Sequence, residues 1–265
     1  MILHYDIQDI VPYINWLYFY HAWSMNGKSE TAKLQLRKDA EEMLRTWEGC
    51  YHTHAVFGLF DANSDGDDLI LGDKRLPMLR QQKPKKPGYP NLCLADFVRP
   101  VGEGNDKVGV FATSVDAELQ KAYLHDDYQR MLSQVLADRL AEGTAEKMHE
   151  EVRRNYWGYA PNERLTMEQT HNEQYQGIRP AVGYPSLPDT SINFILNELI
   201  DMKGIGIRLT ESGMMTPHAS VSGLMLAHPG SCYFELGRIG TDQINDYAHR
   251  RGLPVELIRR FLKGV

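Results

Sequence analysis

Apolar residues recur along this chain in two rhythms, and each change of rhythm marks an element. Between Ser29 and Glu48, the positions Ala32, Leu34, Leu36, Ala40, Met43 and Leu44 predict an amphipathic helix. His54–Phe60 is a nearly unbroken apolar run and predicts a buried strand. The turn residues Asp61–Asp68 then lead into Leu69–Leu71 as the returning strand of a hairpin. Gln81–Gly88, with Lys83, Lys85 and Lys86 among prolines, predicts a solvated loop. Asn91–Val98 and Lys107–Thr113 read as two further strands, joined through Gly102 and Gly104.

The longest helical pattern runs from Asp116 to Tyr156. Leu119, Tyr123, Leu132, Val135, Leu136, Leu140, Met148 and Val152 share one face, and Gly143-Thr144 marks a point where two helices could divide. From Asn155 to Thr190 the chain is rich in Gly, Pro and Tyr and loses its periodicity. Irregular stretches of more than about 15 residues inside a compact domain usually serve function or are disordered, and the aromatics here argue for order. Beyond it, Ile207–Leu209, Ser220–Ala227 and Cys232–Ile239 predict strands. Asp242–Arg251 predicts a helix stopped by Gly252, and Pro254 opens a last helix to Leu262.

Composition narrows the function classes. The 265 residues, 42% hydrophobic and 24% charged, are enough for a sizeable core. A formal charge of -6 disfavours nucleic acid, whose phosphates call for a basic excess. Three scattered cysteines without a C-x-x-C pair support neither a disulfide framework nor a cysteine zinc site, and they fit a reducing cytoplasm. The start of the chain has no signal-peptide pattern. Val11–Gly27 carries no Asp, Glu, Lys or Arg, but its polar positions and six aromatics exclude a membrane span of about 20 aliphatic residues. The stretch reads as core or as the wall of a wet pocket.

Several motifs begin and then fail. Asp61, Asn63, Asp65 and Gly66 copy half of a calcium loop, but Gly72 stands where a bidentate glutamate is required. His52 and His54 lack a third ligand nearby in sequence. The Asp242–Leu262 helix pair has helix-turn-helix spacing, against which the acidic total weighs. No G-x-G-x-x-G, G-x-S-x-G or Walker loop is present.

Chemistry concentrates in Asn155-Tyr-Trp-Gly-Tyr-Ala-Pro-Asn162 and Glu173-Gln-Tyr-Gln-Gly-Ile-Arg-Pro-Ala-Val-Gly-Tyr-Pro185. Arg179, two residues after a glycine and just before Pro180, offers a fork suited to a carboxylate. Gly183 permits close backbone approach or a left-handed turn, and Tyr184-Pro185 adds a stiff aromatic edge. Glu173 could neutralise an ammonium or pair with Arg179. Two readings stay open on these residues: a site for a zwitterionic, partly flat ligand, and a structural salt bridge.

The run Tyr-Trp-Gly-Tyr-Ala-Pro-Asn-Glu (156–163), with Tyr-Gln-Gly-Ile-Arg-Pro-Ala-x-Gly-Tyr-Pro (175–185), Leu-Thr-Glu-Ser (209–212), Ala-Ser-Val-Ser-Gly (219–223), His-Pro-x-Ser (228–231) and Asp-Gln-x-x-Asp-Tyr-Ala-x-Arg-x-Gly (242–252), resembles the activation domain of cobalamin-dependent methionine synthase. Trp23-Ser24, the 56–63 and 93–98 runs, and His125-Asp-Asp-Tyr128 through 137–142 extend the resemblance over nearly the whole chain. It implies one α+β domain over residues 1–265, C-shaped and built on a bent antiparallel sheet, with S-adenosylmethionine in a shallow groove. In that family the domain docks over cobalamin that has lapsed to its inactive cob(II) state. A flavodoxin-type donor gives an electron and S-adenosylmethionine gives the methyl group, so the protein contributes position.

Residue by residue, the resemblance gives Arg179 the methionine carboxylate. Ala181 and Gly183 take backbone contacts to the nucleoside, Tyr184 an aromatic contact on the corrin side, and Tyr233 and Phe234 an aromatic pair at the ligand. Glu173 becomes an acidic neighbour of the ligand, and Asp138 and Glu142 face the cobalamin-binding domain. The family typically has Asp where this chain has Asn15; the amide can still accept a hydrogen bond, but without the strength of a charged acceptor. No Asp-x-His-x-x-Gly cobalamin motif occurs. The expectation is therefore a separate cytoplasmic activation subunit, inactive alone as a methyltransferase. The alternatives are a sensor of the same ligand, a partner of another corrinoid methyltransferase, or a docking-only protein.

Overall fold

The computed structural model describes residues 1–84 and 86–262; Lys85 of the expected solvated loop lies outside them. Its sheet is organised by one long strand with two neighbours on a single edge. β1 (Ile2–Asp6) pairs with the first part of β2 (His52–Asp65), and β3 (Asp68–Leu71) pairs with its end. β4 (Lys74–Pro77) follows on β3. The opposite edge of β2 is occupied by β5 (Asp106–Val115), from Thr53 opposite Val115 to Ala62 opposite Asp106. β6 (Arg208–Leu209) and β7 (Met215–Thr216) form a separate ribbon, and β8 (Ser220–Met225) completes the sheet against β5. All these pairings are antiparallel, and the six-stranded sheet curls into a half-barrel flanked by helices.

Both faces of the sheet are covered. Ala55, Phe57, Phe111 and Val115 point into one core, and Val56, Val108, Val110 and Ala112 into the other. Burial on both sides explains why His54–Phe60 is apolar at successive positions instead of alternating with polar ones. The first core is closed by α1 (Ile7–Ile10), α2 (Trp16–Ala22), α3 (Glu30–Trp47) and α4 (Asp127–Glu151). After the short α5 (Met167–His171), α6 (Ile192–Leu199) packs on the second. α7 (Thr241–Arg251) and α8 (Val255–Phe261) hold a third cluster with Leu79 and Leu236.

α3 follows its expected span, with Ser29 accepting the Ala32 amide at 3.3 Å as N-cap. α7 ends at Gly252, whose φ of 64° is the left-handed stop that glycine supplies. The Asp116–Tyr156 pattern resolves differently. A 3-10 turn over Ala117–Lys121 precedes α4, which Asp126 caps by accepting the Gln129 amide at 2.9 Å. Gly143 does not divide the helix: it is buried where Ile10 crosses, and a Cβ there would lie 3.0 Å from Ile10 Cγ2. α4 then widens into a π-turn over Val152–Tyr156, a feature common beside functional sites.

Two expected strands are absent among the described residues. Asn91–Val98 instead contains a 3-10 turn over Leu94–Phe97, because the Asp96 carboxylate takes the Cys93 amide at 2.8 Å and closes the backbone locally. Cys232–Ile239 alternates apolar and polar residues but lies alone. Its carbonyl at Glu235 accepts from Gln81 Nε2, and its Leu236 amide donates to Pro185. The hairpin turn is narrower than Asp61–Asp68: β2 continues to Asp65, which pairs directly with Asp68. No helix among the described residues is long and apolar enough to cross a membrane.

Candidate functional site: a groove between α4 and the sheet edge

The irregular segment of the sequence becomes an incomplete outer strand. Ile178 and Leu226 exchange both backbone hydrogen bonds at 2.9 Å, Leu224 donates to the Pro180 carbonyl at 3.0 Å, and Val182 donates to Ser222 at 2.9 Å. Pro180 has no N–H, so one rung is missing, which an edge strand tolerates. Ladder alternation turns the amides of Arg179 and Ala181 away from β8. The Arg179 amide donates to the Tyr233 hydroxyl at 2.9 Å. Two glycines make this approach possible. A Cβ on Gly223 would lie 2.2 Å from the Pro180 carbonyl oxygen, and one on Gly177, at φ 89°, would lie 2.4 Å from that of Leu226.

Between this edge and α4 lies an open groove of about 1330 Å³. At its centre Arg179 Nη2 donates to Glu146 Oε2 at 3.0 Å, with each side chain only 13% exposed. The guanidinium carbon sits 5.6 Å from the centre of the Phe111 ring. Two atoms of this pair are buried without a partner: Arg179 Nε and Glu146 Oε1. Buried charged groups are ordinarily satisfied, so the pair offers one open donor and one open acceptor. Tyr175 and Tyr233 both line the groove, and burial raises both phenol pKa values.

Of the residues expected from sequence, the groove brings together Asn15, Glu142, Glu173, Arg179, Ala181, Tyr184, Tyr233 and Phe234. Asp138 and Gly183 do not line it. Asp138 stands on α4 and takes His218 Nδ1 at 3.2 Å; burial, opposed by His218, raises its carboxyl pKa. Gly183 adopts the left-handed turn, φ 89°, and its amide donates to Leu187 at 2.8 Å, so that amide is already engaged. Tyr184 donates to Glu142 Oε1 at 2.7 Å and remains half exposed at the rim. Asn15 lines the groove and also serves as the N-cap of α2, its Oδ1 accepting the Leu17 amide at 3.1 Å.

Glu173 does not pair directly with Arg179; the partner is Glu146. Glu173 sits at φ 55°, outside the usual backbone range for its residue type. Desolvation, with the Glu146 charge adding and Arg179 opposing, raises its pKa. Sequence reasoning missed Glu146, and the available signal was its position one helical turn beyond Glu142, on the same face of α4. His54, considered as a metal ligand, instead bonds Asp116 Oδ1 through Nε2 at 2.8 Å and His4 through Nδ1 at 2.8 Å.

A curled antiparallel sheet bearing this groove defines a known class. Residues 6–252 match the family model of the vitamin B12 dependent methionine synthase activation domain, and the chain belongs to that family. Among solved structures it is similar to the MetH reactivation domain bound to AdoHcy, with a TM-score of 0.92 and 39% sequence identity over 99% of this chain and 88% of that one. The chain is thus a component type of a methyltransferase enzyme, methionine synthase.

Proposed function

We propose that this chain binds S-adenosylmethionine in the groove and serves the reductive remethylation of cob(II)alamin in methionine synthase, the cobalamin being carried by another domain or subunit. The ligand supplies the methyl group and a flavodoxin-type donor supplies the electron. This chain's residues bind and orient. One observation carries the reading: Arg179 Nε is a buried, charged donor without an acceptor, in a groove open to solvent. A ligand carboxylate accepting from the guanidinium would satisfy it. The Ala181 amide, turned away from β8, suits an adenine or ribose acceptor, with Tyr233 and Phe234 as aromatic wall. The groove exceeds the roughly 300–1,000 Å³ of closed small-molecule pockets, which suits a ligand covered on its other side by a docked partner. Exposed Tyr184 and the acids Asp138 and Glu142 are the residues for that contact.

The test is a calorimetric titration of the chain with S-adenosylmethionine, with S-adenosylhomocysteine as comparator. Saturable one-to-one binding is expected. Arg179→Ala should weaken it by about 1.5–3 kcal/mol, the value of a hydrogen bond to a charged group. Wild-type binding that survives Arg179→Ala unchanged would overturn the site. A chain that binds neither ligand up to millimolar concentration would point to a docking-only role.

A further inference from the structure

An amino-acid ligand brings two charges on one carbon. Whatever takes its carboxylate places its ammonium against the neighbouring acceptor, so the acceptors bordering Arg179 decide where the ligand's other charge goes. Asn15 Oδ1 already accepts the Leu17 amide at 3.1 Å and, as a neutral amide, offers an ammonium no counter-charge. Glu142 Oε1 accepts from Tyr184 at 2.7 Å and has Arg139 at 3.6 Å. Glu173 makes no ion pair or hydrogen bond with Arg179, so it does not border the guanidinium as directly. Glu146 differs from all three. It touches Arg179 through Oε2 at 3.0 Å, is 13% exposed, and leaves Oε1 buried without a partner.

We propose that Glu146 receives the ligand's α-ammonium through Oε1, so that Arg179 and Glu146 together form a clamp for a zwitterion. This rests on the reading of the groove as an S-adenosylmethionine site. It assigns the amino group to α4, where an acid is available, instead of to the start of α2, where Asn15 has become a helix cap. The clamp also accounts for both unpartnered atoms at once: one open donor and one open acceptor meet one carboxylate and one ammonium.

The experiment compares S-adenosylhomocysteine with its deamino analogue, by calorimetry, on the wild-type chain, Glu146→Gln and Glu173→Gln. The wild type should bind the amino ligand about tenfold or more tightly than the analogue, the effect of one hydrogen bond to a charged group. Glu146→Gln should lose that preference, and Glu173→Gln should keep most of it. If Glu146→Gln weakens both ligands equally and keeps the preference, the residue only positions Arg179 and the assignment is overturned, with the groove reading intact. A wild type that binds neither ligand overturns both. Should Glu146→Gln fail to fold by circular dichroism, Glu146→Asp carries the test: a reduced preference supports the clamp, and an unchanged one overturns it.

Discussion

The guanidinium of Arg153, fully buried, is held by both carboxylate oxygens of Glu163, at 2.7 to 3.2 Å. Its carbon lies 4.1 Å over the Tyr175 ring, and its Nη1 donates to His149 Nδ1 at 2.9 Å. The 156–163 motif is thereby tied through Arg153 to Tyr175, which lines the groove together with Tyr233, the acceptor of the Arg179 amide. Glu163 never reaches the groove, yet it supports the floor beneath it.

Glu163→Gln should therefore cost about 3–5 kcal/mol of stability, because it leaves a buried guanidinium without its counter-charge. Urea denaturation measures the loss. A change below 1 kcal/mol would mean that water or another acid replaces the partner.

His149 is fully buried and accepts from Arg153, so it is held neutral. Burial, with Arg153 and Arg179 adding, pushes its pKa well below the usual imidazole range. The unfolded chain then binds the extra proton first as pH falls below about 6.5. Stability from this group is present above that pH and declines as pH falls toward the depressed folded value. Denaturation midpoints from pH 7.5 to 5 should drop in the wild type and drop less in His149→Gln.

Gly223→Ala should displace the outer strand, because the added Cβ meets the Pro180 carbonyl, which is backbone and cannot rotate away. Overpacking of this kind costs about 1–3 kcal/mol. Ligand affinity should fall with it, since Arg179 rides on the same segment. Calorimetry and urea melts on the one variant should move together; a full-strength ligand site would show that the strand adapts.

Glu173 titrates above the ordinary carboxylate range because of desolvation and the Glu146 charge. A cationic ligand favours its ionised form, so binding should release protons at mildly acidic pH and weaken as pH falls through the raised pKa. The binding enthalpy should then depend on buffer ionisation heat. Glu173→Gln should remove that dependence.

Local signals were legible where one cause determined an element. Ser29 and Asp126 open helices, Gly252 closes one, and the doubly buried β2 stands out as an apolar run. Of the residues lining the groove, Glu173, Arg179 and Tyr184 stand out in one short segment by their own chemistry, whereas Ala181, Tyr233 and Phe234 were pointed to only by the family resemblance. Other features depend on distant partners. Cys232–Ile239 has strand-like alternation, since Leu236 points inward and Glu235 outward, but no neighbour lies in ladder register and its backbone bonds go to Gln81 and Pro185. Glu146 reads as one more solvated helix acid until the fold sets Arg179 beside it. β1 and α6 give short patterns that only the sheet makes meaningful.

The missing rung at Pro180 divides responsibilities within the molecule. The groove-facing strand keeps four backbone bonds to the β8 side, while the Arg179 amide, which lies outside that ladder, is held by a side chain from a loop, Tyr233. Substitutions in the 232–236 loop can therefore retune what the groove accepts while the half-barrel keeps its own folding instructions. Change is thus freer on the loop side of the Arg179 segment than on its β8 side, where Gly223 ties the groove to the architecture.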